Sequence, residues 1–464
     1  MQPLTRASRR EFLKAGAAVG GGLVLGVAWP EGRAGAAAAA ASMPNAWVKI
    51  GADDTVTILC ARSEMGQGVY TALPTLVAEE LEVDLAKIKV EIAPAGEPYI
   101  NALLGGQITG GSTSVVEGWD KLRVAGAQAR AMLVSAAAQR WGVDAAACRA
   151  ADGVVTGPGG QKATYGALAE AAAKLPVPTD VKLKEYRQSR YVGKPGNRLD
   201  SKAKIDGSAE YGIDVRLPGM LYAALAQCPV IGGKPVSFDA AKARSMPGVK
   251  HVVQISDGVA VVADTWWRAR TARDTLAVKW DEGAGKALDS AGIARGLKAA
   301  AAKPGAVIKK QGDADAAIKG AAKALQADYE LPFLAHATME PMNFTADVRA
   351  DSCLLYGPTQ FQQLAVGVAA QASGLKPEQV TVRTTFLGGG FGRRIDVDYV
   401  AQAVEISKAI GGGPVKLVWT REDDMTHDFY RPVSYHQLSG ALDAQGRPVA
   451  LKFHLTSPSV TSRL

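Results

Sequence analysis

The run Gly388-Gly389-Gly390-Phe391-Gly392-Arg393-Arg394 constrains the fold of this chain most, because it joins a strand-like stretch, Gln379 to Phe386, to a helix-like stretch, Val397 to Ala409. Consecutive glycines carry no Cβ, so the backbone there can turn sharply and approach a ligand closely. Exposed N–H groups, a helix N-terminus and the arginines Arg393 and Arg394 favour an anionic group such as a phosphate. The spacing is not that of a P-loop, which needs Lys-Ser/Thr, nor of the G-x-G-x-x-G dinucleotide fingerprint. Taken alone, the run is also what a tight turn looks like.

Two further loops of the same kind precede it. Trp47 to Leu59 alternates and turns at Ala52-Asp53-Asp54, which predicts a β-hairpin. Met65-Gly66-Gln67-Gly68 follows, then a helix predicted over Val69 to Leu81 with Leu73, Leu76, Val77 and Leu81 at helical spacing, then a strand over Lys87 to Ile92. The cluster Gly105 to Ser114 leads into a long helix with an apolar face at Trp119, Leu122, Ala129, Met132, Leu133 and Trp141, and Ser112 or Ser114 is placed to cap it. Within that cluster Gly110, Gly111, Ser112 and Thr113 supply N–H groups and hydroxyls for a third anion cradle.

The chain divides at composition changes. Residues 1–42 read as a signal peptide, with Ser8-Arg9-Arg10-Glu11-Phe12-Leu13-Lys14, an apolar stretch from Ala15 to Trp29 and the cleavage candidate Ala34-Gly35-Ala36. This order predicts export to the periplasm by the twin-arginine route, which carries proteins already folded. Residues 43–180 form a first unit that ends at the Pro-containing segment Leu175 to Thr179. Residues 190–283 read as a separate small α/β domain, 284–324 as an exposed helical linker rich in Ala, Lys and Gly, and 325–464 as a last unit holding the Gly388 loop. The formal charge of +8 falls by three without residues 1–36, and no Lys/Arg block remains, so nucleic acid is not expected as a partner. Cys60, Cys148, Cys228 and Cys353 are too far apart in sequence for C-x-x-C or metal-ligand spacing, so they read as small core residues, and any iron–sulfur cluster belongs to another chain.

Four segments together carry a resemblance: Met65-Gly66-Gln67-Gly68 with Thr71 and Ala78 to Leu81; Gly193-Lys194-Pro195 through Lys204, Gly207, Ala209, Tyr211 and Asp214 to Pro218-Gly219-Met220-Leu221; His336 with Met339-Glu340-Pro341; and Gly388 to Arg394. From about Trp47 to the end the chain resembles the molybdopterin-binding subunit of the xanthine dehydrogenase and aldehyde oxidase family, in its exported branch similar to isoquinoline 1-oxidoreductase β subunits. The resemblance implies an α+β fold of the molybdenum-hydroxylase large-subunit type. It implies pterin-binding domains in permuted order, since Gly66-Gln67-Gly68 comes before Gly388 to Gly392, and a hammerhead-type domain between them. It also implies a molybdenum–molybdopterin cytosine dinucleotide held by Gly66, Gln67, Gly68, Gly110, Gly111, Ser112, Thr113, Gly388, Gly389, Gly390, Phe391, Gly392 and Arg393, with the metal carried by the pterin and no protein ligand to it. The expected activity is hydroxylation of an N-heterocycle or oxidation of an aldehyde with water as the oxygen source. A small 2Fe-2S subunit is the expected partner, and a c-type cytochrome the candidate electron acceptor.

Three departures from the family pattern bear on that expectation. The loop order is permuted, Ala335 stands where xanthine dehydrogenases place a glutamine, and the family's Gly-x-Gly-Glu catalytic motif is absent from these residues. No catalytic residue is therefore assigned, the chain reads as C-terminally truncated, and the rival expectation is a non-catalytic pterin-binding or assembly fragment. Glu79 and Glu80 read as helix surface and cap, and Glu340 as a structural residue beside His336, itself read as a core histidine. Arg393 and Arg394 read equally well as phosphate or partner contacts and as solvated helix-start residues. His427 and His436 face either a site or solvent.

Overall fold

The computed structural model describes residues 42–460. The signal-peptide stretch and its cleavage candidate lie outside these residues. Among the described residues no helix is long and apolar enough to cross a membrane.

The first unit follows the predicted order closely. Strands β1 (Ser42–Asn45), β2 (Val48–Ile50), β3 (Val56–Cys60) and β4 (Lys89–Ile92) form one sheet in that order, antiparallel except for the parallel pair β3 and β4. The hairpin turn is fixed by the Asp53 carboxylate, which accepts from the Thr55 amide at 3.1 Å and its hydroxyl at 2.9 Å. Helices Val69–Leu81 and Ser114–Trp141 pack together and against the sheet, with Ile50, Ile58, Val77, Leu81, Met132 and Leu133 in their shared core. Their close approach needs Gly126, where a Cβ would stand 2.4 Å from the Val77 carbonyl oxygen. A small antiparallel sheet of β5 (Arg149–Ala151), β6 (Val154–Thr156) and β7 (Lys162–Thr164), then helix Tyr165–Ala173, complete the unit.

The middle segment is not the separate domain that the sequence reading expects. It contains β8 (Leu221–Gln227), β9 (Lys234–Asp239), β10 (Val249–Gln254), β11 (Gly258–Ala263), helix Trp266–Arg273 and β12 (Ala277–Asp281). After helices Ser290–Ala301 and Ala314–Lys319 come β13 (Lys323–Leu331), β14 (Asn343–Val348), β15 (Cys353–Gly357), helix Gln362–Ser373, β16 (Val380–Thr384), helix Asp398–Ala409 and β17 (Gly413–Val418). One seven-stranded sheet runs β10-β11-β8-β17-β14-β15-β16, so strands from 190–283 and 325–464 share it. The seam is the parallel pairing of Leu221 to Ala223 with Val415 to Leu417. Ala223, Ala224 and Leu225 are buried on both faces, which suits a central strand and not the border of a free-standing domain. Only β9 and β12 form a separate two-stranded sheet.

Phe344, Leu355, Tyr399, Val404, Leu417 and Trp419 fill the core between this sheet and its helices. Each large apolar side chain buried there contributes about 1.5–3 kcal/mol. The stretch 284–324 is more than a linker: its helices lie on a further three-stranded sheet, β13 with β18 (Ser434–Leu442) and β19 (Pro448–Thr456), tied by the Lys452–Asp315 ion pair at 2.7 Å.

Candidate cofactor-binding site

The Gly388 loop leaves β16 and closes onto Glu340. The Gly388 amide donates to Glu340 Oε2 at 2.8 Å, and the Glu340 amide returns a bond to the Gly388 carbonyl at 3.0 Å. Glu340 Oε1 accepts from the Ile213 amide at 3.1 Å and from Asn343 Nδ2 at 2.9 Å, so this carboxylate joins three segments, as its structural reading expected. A Cβ on Gly388 would stand 2.3 Å from that of Glu340, and one on Gly390 would stand 2.6 Å from both Met65 Sδ and Gln360 Oε1. Gly389, Phe391 and Gly392 have φ of 96°, 55° and 107°. The amides of Gly389, Gly390 and Phe391 have no hydrogen-bond acceptor among the described residues, and the Phe391 ring is exposed. Three consecutive free donors on a loop whose only side chain between Gly388 and Gly392 is that of Phe391 make a cradle for an oxygen-bearing anion.

Arg393 and Arg394 meet neither of their expectations: both are fully buried. Arg394 donates to the Glu340 carbonyl at 2.6 Å and the Gly389 carbonyl at 2.9 Å, and pairs with the Glu340 carboxylate. Arg393 makes a bidentate pair with Asp398 at 2.9 and 2.8 Å, approaches Asp428 at 3.1 Å, and lies 5.2–5.7 Å from the ring centroids of Phe429, Trp419 and Tyr399. A guanidinium committed in this way braces the loop from behind and is not free to hold a phosphate. Asp428 also holds His336 Nδ1 at 2.9 Å. Burial raises the Asp428 pKa, but the bonds from His336 and the charge of Arg393 outweigh it, and the carboxylate stays below its ordinary range. A Cβ on Gly392 would meet His336 Nε2 at 3.6 Å, so this histidine lies directly under the loop.

At Gly66 to Gly68 the two glycine amides are already taken. The Glu64 carboxylate, fully buried, accepts from the amides of Gly66 at 2.9 Å, Gly68 at 3.3 Å and Tyr70 at 3.0 Å. Arg198 and Lys204 neutralise it at 2.9 and 3.1 Å, and both also pair with buried Asp200. Burial raises the pKa of Glu64; the Tyr70 amide and Lys204 outweigh it, and the group stays ionised. The chain's own carboxylate thus fills the anion position predicted for a ligand phosphate. Gln67 is folded back, with Nε2 on the Ser63 carbonyl at 2.9 Å and Oε1 receiving the Met65 amide at 2.8 Å.

At Gly110 to Thr113 the donors are open. Gly111 and Ser112 have φ of 59° and 55°, and the amides of Gly110, Gly111 and Ser112 have no acceptor among the described residues. Neither Ser112 nor Ser114 caps the helix: Thr113 is its N-cap and makes no side-chain cap bond. The Thr113 hydroxyl instead donates to the Gly110 carbonyl at 2.9 Å and accepts from Asn101 at 2.7 Å. The segment therefore presents open amides beside the N-terminus of a 28-residue helix.

Gln360 joins these loops, a role that the sequence reading did not give it. Its Nε2 donates to the Thr109 carbonyl at 2.8 Å, while Oε1 accepts from the amides of Gly392 at 3.2 Å and Arg394 at 3.3 Å. Ser63 is fastened alongside, its amide on Thr109 Oγ1 at 2.9 Å and its hydroxyl on the Thr359 carbonyl at 2.6 Å. The Leu387 amide reaches the Glu64 carbonyl at 2.9 Å, and a Cβ on Gly110 would touch Ile395 at 3.2 Å. All three predicted loops converge, and those at Gly110 and Gly388 each present three consecutive free amides.

The remaining candidates are structural. Glu79 and Glu80 are buried, not at the surface: Glu79 accepts from the amides of Arg190 and Tyr191 at 3.0 and 2.7 Å, and Glu80 pairs with Arg123 at 2.8 Å. His427 Nε2 lies 2.9 Å from the Cys228 carbonyl, and His436 stacks on Phe453 in the sheet of β13, β18 and β19. The four cysteines are unpaired thiols.

Two family models, each described as a molybdopterin cofactor-binding domain, match residues 4–211 and 300–459. The chain is 34% identical to the beta chain of isoquinoline 1-oxidoreductase from Brevundimonas diminuta over 92% of its own length and 60% of the relative's. It is 27% identical to a component of nicotinate dehydrogenase from Pseudomonas putida over 89% of its length and 35% of that relative's. The chain therefore spans less than two thirds of these curated relatives. Among solved structures, quinoline 2-oxidoreductase from Pseudomonas putida 86 aligns at 18% identity and a TM-score of 0.43, over 55% of this chain and 38% of that one.

Proposed function

Because the chain belongs to the molybdopterin-binding subunits of the xanthine dehydrogenase and aldehyde oxidase family, we propose that it is the cofactor-binding part of an exported molybdenum hydroxylase. The substrate in this reading is an N-heterocycle or an aldehyde, and electrons leave through a separate 2Fe-2S subunit to an acceptor such as a c-type cytochrome. The observation that carries the proposal is the set of three consecutive free amides at Gly389, Gly390 and Phe391 on a loop that admits no Cβ at Gly388 or Gly390. These amides would receive the metal end of the cofactor, and those of Gly110 to Ser112, at a helix N-terminus, its phosphates. When bound, the group supplies transfer of oxygen from water to a substrate carbon and uptake of two electrons. Gln360 and Glu340 hold the two cradles in register, and Arg393 and Arg394 brace the loop from behind. A cofactor added in the cytoplasm requires export of the folded protein, which agrees with the twin arginines Arg9 and Arg10.

The Glu64 carboxylate favours a second reading, a chain that binds pterin weakly or serves assembly, because it occupies the amides of Gly66 and Gly68. The test is to purify the exported protein with its iron–sulfur partner, and to measure molybdenum, cytidine nucleotide released by acid, and labelled oxygen transferred from water to an N-heterocycle and to an aldehyde. Molybdenum with cytidine monophosphate and labelled product supports the enzyme. An intact complex without molybdenum supports the second reading.

A further inference from the structure

A lysine is buried in the middle of the seven-stranded sheet. Lys416, in β17, is 2% exposed; its Nζ donates to the Ile213 carbonyl at 2.6 Å and lies 6.0 Å from the centroid of the Tyr222 ring. It lines a cavity of about 360 Å³ together with Tyr222, Trp266, Arg270, Trp419 and Arg421. Trp266 is held as a wall by its Nε1 bond to the Val418 carbonyl at 3.0 Å. None of the lining residues belongs to the Gly66, Gly110 or Gly388 loops.

The electrostatics of this cavity are unbalanced. Arg421 is committed to Asp424 and to the Met339 carbonyl. Arg270 lies 5.4 Å from the Trp267 centroid and comes no nearer than 4.0 Å to the Asp274 carboxylate, and its Nε is buried without a hydrogen-bond partner. Glu422 is the single carboxylate of the lining, against three cations. Buried polar groups without partners are costly, and a buried cation more so. An incoming carboxylate would satisfy both Lys416 and Arg270. The indoles of Trp266 and Trp419 and the Tyr222 ring present flat apolar walls suited to a planar ring, and the volume suits one ring rather than a dinucleotide.

We propose that this cavity is a second small-molecule site, which binds a single-ring aromatic carboxylate through Lys416 and Arg270. Burial brings the Lys416 pKa down to about 8, with Arg216 acting in the same direction and Asp214, Glu340 and Glu210 opposing it. The ammonium is therefore more fully charged below about pH 8, and binding tightens as the pH falls through that value; the other charged groups facing the cavity are Arg270, Arg421 and Glu422.

The test is calorimetric titration of the assembled complex with benzoate, with cyclohexanecarboxylate and with inorganic phosphate, repeated on Lys416→Met and Arg270→Gln. Lys416→Met replaces a buried cation by an apolar chain of similar length, and Arg270→Gln changes a part-exposed side chain, so at least one of the two keeps the fold. Expected is a saturable benzoate site weakened about tenfold or more by Lys416→Met and by a smaller factor by Arg270→Gln, with weaker cyclohexanecarboxylate binding and no competition by phosphate. Equal benzoate affinity in wild type and both variants, displacement by phosphate, or no saturable binding would each overturn the proposal. The readout does not depend on molybdenum content, so it stands or falls separately from the enzymatic reading.

Discussion

The Thr109 amide donates to the Gln360 carbonyl at 2.8 Å, and Gln360 Nε2 returns a bond to the Thr109 carbonyl at 2.8 Å. This reciprocal pair joins segments 251 residues apart in sequence and brings the Gly110 cradle to the Gly388 loop. Gln360→Ala removes the acceptor for the amides of Gly392 and Arg394 as well as the bond to Thr109. Leaving two amides without their acceptor at a buried site costs about 3 kcal/mol in all. The variant should melt at a lower temperature and be purified with less molybdenum, as thermal unfolding and metal analysis will show. Unchanged values for both would remove Gln360 from its joining role.

Periodicity made most of the elements legible. The helix predicted over Val69 to Leu81 is found at those limits, and the strand over Lys87 to Ile92 differs by two residues at one end. The mixed α/β character of the middle segment was also readable, but not its continuity with the last unit. The seam depends on a parallel pairing of Leu221 with Val415, and nothing local in either strand names its partner. The site was legible as three glycine loops, because glycine at a turn marks backbone geometry directly. It was not legible which donors stay free. Glu64 lies just ahead of the Gly66 loop and was available as a signal, since a carboxylate next to a glycine turn and helix start can cap it from within. Arg393 and Arg394 resemble solvent-facing or ligand-facing charges in a linear reading; Asp398, the bidentate partner of Arg393, is only five residues on and was available as a signal, whereas Asp428 and Glu340 lie far along the chain, Glu340 being 54 residues from Arg394.

Gly388→Ala places a Cβ 2.3 Å from the Cβ of Glu340, an atom with no freedom to swing aside. Overpacking of this kind costs about 1–3 kcal/mol and here also displaces the Gly389 to Phe391 amides. The variant should fold with reduced stability and lose cofactor. Gly196→Ala is the control, since a Cβ there meets nothing within 4 Å. It should lie within about 0.5 kcal/mol of wild type in urea unfolding. Equal behaviour of the two variants would show that the Glu340 contact does not shape the loop.

Glu79 holds the amides of Arg190, Tyr191 and Val192 and the Lys184 ammonium, although it lies on a helix more than 100 residues earlier. Glu79→Ala leaves these donors without their acceptor and Lys184 without one of its two carboxylates. The expected loss is about 3 kcal/mol. Trypsin should then cut faster at Lys184 and Arg190 than in the wild type, because the segment that carries them is no longer pinned. A wild-type cleavage pattern in the variant would show that other contacts pin it.

Asp200 provides a pH test with a defined sign. Burial raises its pKa, but the bonds from Arg198 and Lys204 outweigh this and bring it from 3.8 down to about 2. A proton therefore binds the unfolded chain more tightly than the folded one, so the contribution of Asp200 is complete above about pH 4 and is lost as the pH falls toward 2. The shift corresponds to about 2 kcal/mol. Glu64 shares Arg198 and Lys204, is held below its ordinary pKa as well, and acts in the same direction. In Asp200→Asn the part of the acid-induced loss that belongs to Asp200 disappears, while that of Glu64 remains. Urea unfolding from about pH 6 to about pH 3 should show wild type more stable than Asp200→Asn at the upper end, with the gap closing as the pH falls. A gap that stays constant over that range would mean that the pairing with Arg198 and Lys204 does not hold the carboxylate in its charged form.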